Sequence, residues 1–333
     1  MNLEKLAIIG AGGWGTALAV LWAKLAPEVV LWGNSAARVE KMRATRENQV
    51  YLPGVRLPDS VGLTSRLEEC GDADLIVFVV PSTALRPIAG RLRDVNAINR
   101  VVLLTCTKGV EHGSGMRMSE ILTKIFPGWA IAALSGPNLA AEVARGLPTA
   151  TVLACSQPEY ARELQGVLGS PRFRIYTGDE VPGVELGGAL KNVFAIAAGA
   201  SEGLGLGDNS KAALVTRALA EMIRLGTAMG GQLSTFYGLS GAGDLVLTCY
   251  SKRSRNRTVG ERLGRGESLQ QIVSTMQMVA EGVPTAKSAY ECARKLNIDT
   301  PIIDQVYALL YQDKPAIQAL EELLGREQKP ERV

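Results

Sequence analysis

The first half of the chain alternates between short apolar runs and helical patterns. The apolar runs are rich in β-branched residues and predict strands at 6–10, 28–32, 74–80, 101–106, 129–134 and 149–155. Near-continuous apolar strands separated by helices are typical of a parallel sheet covered on both faces. The segment 48–64, with two prolines and Gly54, is predicted to be a loop-rich interruption. The pattern therefore predicts a doubly wound, Rossmann-like α/β fold.

The strand pattern stops after about residue 180. Apolar residues then recur three to four positions apart and predict helices at 185–200, 210–230, 256–265, 279–296 and 302–311. Gly178, Pro182 and Gly183 mark a boundary near 177–183. We therefore predict an α/β domain over residues 1–180 and an all-helical domain over 181–333, with a frayed, charged tail at 325–333.

Composition narrows the class of protein. A chain of 333 residues with 47% hydrophobic and 21% charged residues is typical of a globular protein of two domains. Its net charge of +3 gives no global field that would select nucleic acid or an anionic membrane. A local basic patch stays open as an alternative.

Histidine and cysteine usage narrows the chemistry further. The single histidine, His112, excludes sites built from several histidines, so we expect no metal site and a proton-transfer group drawn from Lys, Asp, Glu or Tyr. The five cysteines are odd in number and far apart, which is typical of reduced thiols in a cytoplasmic protein. A catalytic thiol is the alternative.

The uncharged run at 6–23 approaches the length of a signal peptide or membrane helix. Its four glycines and the lack of a net positive segment before it favour a strand, a turn and a helix instead. We therefore expect no stable membrane insertion.

The first glycine-rich turn carries the strongest local motif. Gly10, Gly12 and Gly15 fit G-x-G-x-x-G directly after a predicted strand and at the start of a predicted helix. We assign Gly10 to the tight turn, Gly12 to close approach of a pyrophosphate and Gly15 to packing of helix on strand. The motif predicts dinucleotide binding.

The end of the second predicted strand bears on which dinucleotide is bound. No carboxylate follows this strand until Glu40, and a carboxylate there would repel a 2′-phosphate. Its absence permits NADPH, with Asn34, Ser35 and Arg38 as possible donors, although Arg38 alternatively is a solvated helix residue. We expect NADPH, or both NADPH and NADH.

Several polar residues follow predicted strands or interrupt apolar helices. Lys108 follows the fourth apolar run, and the small residues 135–138 follow the next, where ligands of open α/β sheets bind. Lys191 lies in an otherwise apolar helix, and two interpretations are open. It is a lysine at the edge of the helix whose ammonium reaches out to solvent, or it lies beside space for a ligand left by Gly187 and the glycine after it. If their segment is helical, Asp244 and Thr248 share a face.

The basic run 252–257 has three interpretations. It is a solvated surface, a nucleic-acid patch or an anion clamp in which Arg pairs with a phosphate. The nucleic-acid interpretation lacks interleaved aromatic residues and a strongly basic domain, so we expect no nucleic-acid partner.

Together these motifs resemble the NAD(P)-dependent glycerol-3-phosphate dehydrogenase family of the bacterial type. The similarity runs along the chain through GAGGWGTALA, TKGVE, LSGPNLAAEVARGLPTA, ELGGALKNV, GLSGAGDLVLTCYSKRSRNR and VAEGVPTAK. The resemblance implies reduction of dihydroxyacetone phosphate to sn-glycerol 3-phosphate, a precursor of phospholipids, in a cytoplasmic homodimer. It also implies that residues 1–180 bind the dinucleotide and that residues 181–333 bind substrate and catalyse.

The resemblance also assigns roles to single residues. Lys191 matches the family's catalytic lysine, the proton donor during reduction, and Lys108 matches a second lysine at the substrate and nicotinamide. Asp244 and Thr248 match residues close to the catalytic lysine. Further substrate contacts are implied for Gly136, Asn138, Asn192, Ser254, Arg255 and Asn256. Cofactor contacts are implied for Gly10, Gly12, Gly13, Trp14, Gly15, Asn34, Lys108, Ala140, Arg255, Val279 and Glu281.

The chemistry is consistent with this assignment. Hydride transfer leaves negative charge on a carbonyl oxygen, so a cation and a proton are needed there, and Lys191 can supply both. Burial of Lys191 and repulsion by Lys108 would lower the pKa of the Lys191 ammonium, whereas the charge of Asp244 would raise it. The alternatives are a ketopantoate or β-hydroxyacid reductase, and a non-catalytic NADPH-sensing protein.

Overall fold

The structure is a computed structural model that describes residues 3–95, 102–328 and 330–331. Eight strands form one sheet: β1 (Lys5–Ile9), β2 (Glu28–Trp32), β3 (Val61–Thr64), β4 (Leu75–Phe78), β5 (Val102–Thr105), β6 (Ala130–Ser135), β7 (Thr149–Cys155) and β8 (Phe173–Gly178). Val101, predicted to begin the strand at 101–106, lies outside the described residues.

The strand order is β3-β2-β1-β4-β5-β6-β7-β8. β1 lies between β2 and β4, so Ile9 pairs with Trp32 on one side and Phe78 on the other. The order reverses direction on either side of β1, and the turn after β1 therefore lies where ligands of doubly wound sheets bind. The predicted fold class, a Rossmann-like sheet followed by a helical region, is confirmed.

The expectation of an all-parallel sheet was wrong at one pair. β6 and β7 are antiparallel, with Leu134 opposite Leu153. The connection between them holds only one short helix at Ala140–Val143, whereas a parallel return needs a longer crossover. β3 lies in the segment predicted to be loop, and β8 was not predicted. β8 alternates buried and exposed residues, so it lacks the continuous apolar run used to find strands.

The chain divides into two compact units. The first comprises residues 1–108 and 117–184, and the second comprises 109–116 and 185–333. Besides the sheet, the first unit holds a short 3₁₀ turn (Leu67–Cys70) and helices α1 (Gly13–Leu21), α2 (Ala36–Thr45), α3 (Ser82–Arg93), α4 (Met118–Ile125), α5 (Ala140–Val143) and α6 (Pro158–Leu168). Its core is the sheet itself, because β1 and β4 are buried along almost their whole length.

The second unit is helical. Its helices are α7 (Val181–Gly203, which begins in the first unit), α8 (Asp208–Ala228), α9 (Leu233–Phe236), α10 (Asp244–Tyr250), α11 (Arg255–Gly264), α12 (Leu269–Thr275), α13 (Gly282–Lys295), α14 (Pro301–Tyr311) and α15 (Ala316–Leu324), with a π turn at Leu239–Gly243. The five predicted helices correspond to α7, α8, α11, α13 and α14, whereas α9, α10, α12 and α15 were not among the predicted helices.

Helices α7 and α11 meet backbone to backbone. A Cβ added at Gly199 would lie 1.9 Å from the carbonyl oxygen of Arg257, and one at Gly260 would lie 1.9 Å from that of Ile196. Gly203 and Gly264 are similarly tight. Because no side chain separates the helices here, the start of α11 is held close to the helix that carries Lys191.

All five cysteines are free thiols, four of them buried. Among helices within the described ranges, none combines the length and hydropathy needed to cross a membrane.

Candidate active site

The glycine turn after β1 has the geometry that its motif predicts. Gly10 has φ +126°, and a Cβ there would lie 2.5 Å from the carbonyl oxygen of Val79. Gly15 packs on the turn, since its Cβ would lie 1.9 Å from the carbonyl oxygen of Gly10. Gly12 instead faces open space, with no atom within 4 Å of an added Cβ. The start of α1 is therefore accessible to an anion such as a pyrophosphate.

The other residues implied for the dinucleotide lie around this turn or follow β2. Gly13 approaches Ala140 at the start of α5, with 4.0 Å between an added Cβ and the Ala140 Cβ. Trp14 is half-buried and packs against the core. Asn34 is exposed two residues after β2. These positions fit a dinucleotide lying across the turn.

The two other candidate donors after β2 have partners within the fold. The Ser35 hydroxyl accepts a hydrogen bond from the backbone N–H of Arg38 at 3.5 Å and caps α2. The Arg38 guanidinium donates to the Tyr51 hydroxyl and lies over that ring, 5.4 Å from its centroid. Of the three candidate donors after β2, Asn34 is thus the one that makes no side-chain hydrogen bond among the described residues.

Lys108 and the segment after β6 meet in the first unit. The Lys108 ammonium donates to the carbonyl oxygen of Gly136 at 3.2 Å. Asn138 is tied to β7, because its Nδ2 donates to the carbonyl oxygen of Ala150 at 3.3 Å and its Oδ1 lies 3.0 Å from the Thr151 Oγ1. The fold thus brings Lys108, Gly136 and Asn138 to one end of the sheet, with Asn138 holding the loop in place.

Lys191 lies in a buried polar cluster of the second unit. Its Nζ donates to Asp244 Oδ1 at 2.7 Å and to Thr248 Oγ1 at 2.8 Å. Thr248 donates in turn to the backbone carbonyl oxygen of Asp244 at 2.6 Å. Lys191 is 8% and Asp244 1% exposed, so the charges are compensated out of contact with bulk water. The alternative of a snorkelling surface lysine does not fit this burial.

The local sequence explains how Asp244 reaches Lys191. Asp244 begins α10 directly after the π turn Leu239–Gly243. Gly187, one turn before Lys191, lets that turn approach α7, since an added Cβ would lie 2.7 Å from the carbonyl oxygen of Ser240. The expectation that Gly187 leaves space for a ligand was therefore wrong, because the π turn fills that space.

The basic run at 252–257 divides into surface and buried parts. Ser254 caps α11 by accepting from the backbone N–H of Arg257 at 3.2 Å. Arg255 is the first helical residue, and its Nη1 donates to the carbonyl oxygen of Val279 at 2.8 Å. Desolvation lowers the pKa of the Arg255 guanidinium, and the charge of Glu281 partly opposes this shift. The start of α11 thus combines helix N–H groups and a guanidinium, both suited to an anion.

Arg257 belongs to the fold. It is 4% exposed and pairs with Glu202 at 2.5 Å and Glu261 at 3.3 Å. A nucleic-acid patch that uses Arg257 does not fit this burial.

Two buried asparagines connect α7, α11 and α13. Asn256 Nδ2 donates to Asn192 Oδ1 at 2.8 Å, and Asn256 Oδ1 accepts from the backbone N–H of Gly282 at 2.9 Å. A Cβ at Gly282 would lie 2.5 Å from the Asn192 carbonyl oxygen. Sequence reasoning missed Gly282, although this residue directly follows Glu281 in the EGVP segment. The only signal for it in the sequence was a glycine near the start of a predicted helix.

The candidate residues thus form four groups in the structure. The first unit holds the glycine turn with Trp14 and Ala140, and it separately holds Lys108 with Gly136 and Asn138. The second unit holds Lys191 with Asp244 and Thr248, and it also holds the start of α11, where Ser254, Arg255 and Asn256 meet Asn192, Val279 and Glu281.

A catalytic thiol does not fit the structure. Burial raises the pKa of Cys70, Cys106 and Cys249 to about 12, which keeps these thiols protonated at neutral pH. Burial also raises the pKa of Cys155 and Cys292. The one histidine, His112, pairs with Glu291 at 2.9 Å.

A glycine turn on a Rossmann-like sheet, followed by a helical half with a buried lysine–carboxylate pair, defines a two-part NAD(P)-dependent dehydrogenase. Family models narrow this class. The model for the NAD-dependent glycerol-3-phosphate dehydrogenase N-terminus matches residues 5–161, and that for the C-terminus matches residues 180–321. The chain belongs to the NAD-dependent glycerol-3-phosphate dehydrogenase family, whose members are NAD(P)-dependent oxidoreductases.

Individual relatives agree with this assignment. The chain is 48% identical to a glycerol-3-phosphate dehydrogenase [NAD(P)+] of Geobacter sulfurreducens, covering 99% of both chains, and 46% identical to one of Chlorobium limicola, covering 98% and 99%. Among solved structures, glycerol-3-phosphate dehydrogenase of Coxiella burnetii matches with TM-score 0.93 and 38% identity, covering 97% and 99%. A ketopantoate reductase of Ralstonia eutropha matches with TM-score 0.63 at 18% identity, which shows a shared fold alone.

Proposed function

We propose that the chain reduces dihydroxyacetone phosphate to sn-glycerol 3-phosphate, with Lys191 as the proton donor. The observation that carries this proposal is the buried contact of Lys191 with Asp244 and Thr248. A carbonyl reductase needs one group that both meets the oxygen as negative charge develops and delivers a proton to it. Lys191 has both capacities, and the reverse reaction uses the same group as the proton acceptor.

The neighbours of Lys191 orient its ammonium. Asp244 and Thr248 accept two of its hydrogen bonds, and Thr248 is itself fixed by donating to the backbone of Asp244. A lysine side chain loses rotamer freedom when it is held this way. The ammonium is therefore positioned before the substrate arrives, which lowers the entropy lost in reaching the transition state.

The start of α11 is proposed to bind the phosphate. Its first N–H groups and the Arg255 guanidinium are the features that favour a dianion, and α11 is held against α7 by Gly199 and Gly260. Asn256 is hydrogen-bonded to Asn192, so the pair connects the start of α11 to the residue that follows Lys191. We propose that the two asparagines also contact the substrate. Binding energy from the phosphate would then help to position the carbonyl.

The glycine turn and the residues around it are proposed to hold NADPH or NADH, which when bound supplies the hydride. Gly12 lets the pyrophosphate approach the start of α1, and Ala140 and Trp14 lie beside it. Lys108 would contact substrate and nicotinamide from the end of β5. We favour NADPH, because no carboxylate follows β2 before Glu40 and Asn34 is exposed there.

We also propose that the enzyme acts in the cytoplasm as a homodimer and supplies phospholipid synthesis. The support for the cytoplasm is the set of five free cysteines. Light scattering over a range of protein concentrations tests the dimer.

The test of the reaction follows absorbance at 340 nm with NADPH, and separately with NADH. Dihydroxyacetone phosphate is compared with unphosphorylated dihydroxyacetone and with a 2-keto acid. Turnover of the phosphate ester far above the other two is the expected result, because only this substrate engages the start of α11. Protein that binds NADPH, seen by its fluorescence, but reduces none of them would refute the proposal and favour a dinucleotide sensor. Preference for the keto acid would favour the reductase alternative.

A further inference from the structure

A cavity of about 840 Å³ lies within the second unit, among α7, α8, α14, α15 and the C-terminal segment. Its volume falls within the range of about 300 to 1,000 Å³ that is usual for small-molecule sites. None of the candidate catalytic or cofactor residues lines it. The cavity is therefore separate from the site described above.

The wall is aliphatic. Leu204, Leu214, Val306 and Leu309 line it together with several alanines and the leucines of α15. No aromatic side chain is among the described residues that line it. A nucleotide or other planar ring would therefore find no stacking partner, whereas a flexible alkyl chain would bury its surface against Leu, Val and Ala.

Four of the polar residues at the wall are already engaged by other groups of the fold. Glu221 accepts from the backbone N–H groups of Ile302 and Ile303 at 2.9 and 2.8 Å, so both carboxyl oxygens serve the start of α14. Arg326 pairs with Asp299 at 2.8 Å, and Arg224 donates to the carbonyl oxygen of Asp299. Glu327 and Glu331 lie on the C-terminal side of the cavity.

Arg217 differs from these groups. It lies on the face of α8 that lines the cavity, between Leu214 and Glu221. Within the described part of the chain it makes no hydrogen bond or ion pair, and its side chain is exposed. A cation beside an aliphatic wall matches a ligand with an alkyl chain and an anionic end.

We propose that this cavity binds an aliphatic carboxylate of medium chain length, with the chain among α7, α8, α14 and α15 and the carboxylate at Arg217. The site is additional to the proposed dehydrogenase reaction and does not depend on it.

The first test is isothermal titration of the full chain with dodecanoate below its micelle concentration. Ala213→Trp fills the cavity from an exposed position on α8, and Ala212→Trp is the matched control because Ala212 is exposed on the same helix but does not line the cavity. Saturable one-to-one binding that Ala213→Trp weakens at least tenfold and Ala212→Trp leaves within twofold is expected. No saturable binding to the wild type, or equal loss in both variants, would overturn the proposal.

The second test concerns the anionic end. Arg217→Ala is expected to weaken dodecanoate about tenfold, as for loss of a hydrogen bond to a charged group, and to leave dodecanol within twofold. Arg162→Ala, an exposed arginine on α6, is the control. Equal affinity of wild type for dodecanoate and dodecanol would remove the role of Arg217. Dissociation of a dimer by dodecanoate, seen by light scattering, would assign the cavity to a second copy of the chain instead.

Discussion

The two units hold their candidate groups in opposite ways. In the first unit the candidate groups are positioned mainly by the backbone. The glycine turn shapes the start of α1, and Lys108 donates to the carbonyl oxygen of Gly136. In the second unit the candidate side chains are hydrogen-bonded to other side chains, Lys191 to Asp244 and Asn256 to Asn192. A substitution should therefore harm the candidate groups of the first unit mainly by changing backbone space, whereas those of the second unit are also sensitive to the loss of a polar partner.

The largest effect is expected in the second unit, on removal of the proposed proton donor. Lys191→Met keeps an unbranched, apolar stem but removes the ammonium group with its proton and charge. We expect kcat/KM to fall by about 10³- to 10⁴-fold, the usual contribution of general acid catalysis with charge stabilisation. Stopped-flow reduction measures this, with NADPH affinity as a second readout.

Lys295→Met is the control, because Lys295 is an exposed lysine at the end of α13. It should stay within twofold of wild type. A Lys191→Met enzyme that retained a tenth of the wild-type rate would remove Lys191 from the chemistry.

Backbone space in the first unit is tested at Gly10. Gly10→Ala puts a Cβ 2.5 Å from the Val79 carbonyl oxygen at φ +126°. We expect about 3 kcal/mol of destabilisation and at least tenfold weaker NADPH binding. Urea unfolding and fluorescence titration measure the two effects.

The matched variant is Gly54→Ala, where φ is +75° but no atom lies within 4 Å of the added Cβ. The left-handed backbone alone should cost about 1 kcal/mol and leave NADPH affinity unchanged. Equal effects at the two glycines would show that steric contact at the turn is unimportant.

The Glu221 side chain of the second unit holds the backbone at the start of α14. Burial raises its pKa to about 7, although the N–H groups of Ile302 and Ile303 oppose the shift. A carboxyl whose folded pKa exceeds its unfolded value binds more protons in the folded state, so stability is full below the unfolded pKa and falls as pH rises through the folded one. Between about pH 4.5 and pH 7 the loss should reach about 3 kcal/mol.

Glu221→Gln removes this titration. At pH 5 we expect the variant to be less stable than wild type, because its side-chain NH2 is a donor and faces one of the two backbone N–H groups that need an acceptor. At pH 8 the difference in free energy of unfolding between the two proteins should be much smaller. Urea unfolding at both pH values measures the difference. A gap that is independent of pH would show that Glu221 stays ionised in the folded protein.

The smallest expected effect lies at the start of α11. Ser254→Ala removes the acceptor for the N–H of Arg257 and should cost about 1 kcal/mol. Ser268→Ala removes the equivalent cap of α12. Both should lower stability similarly, but only Ser254→Ala should raise KM for dihydroxyacetone phosphate. A parallel rise in KM for both would mean that the start of α11 does not bind phosphate.

The fold was largely predictable because its signals are local. Continuous apolar strands and the glycine motif identified the sheet and the start of α1. The strand β7 was predicted, but its antiparallel direction was missed. Direction depends on the connection after Ser135, whose only helix, α5, has four residues and is too short to carry the chain back along the sheet. β8 was missed although its period-two pattern was readable.

The candidate site was less accessible from local pattern. Lys191 and Asp244 are 53 residues apart, so neither spacing nor periodicity brings them together. Only the resemblance to a family placed them in one site. The roles of Gly187 and Gly282 depend on the carbonyl oxygens of Ser240 and Asn192, which belong to other elements. Such packing cannot be derived from neighbours in sequence.

The close crossing of α7 and α11 limits how this enzyme's specificity can evolve. At Gly199 and Gly260 the helices are already in backbone contact, so no smaller residue exists that would bring them nearer. Any larger residue would force them apart and move the start of α11 away from Lys191. The separation between the proposed phosphate and carbonyl subsites is therefore fixed by the peptide chain. Descendants that accept longer or shorter substrates would have to change the loops around these helices instead.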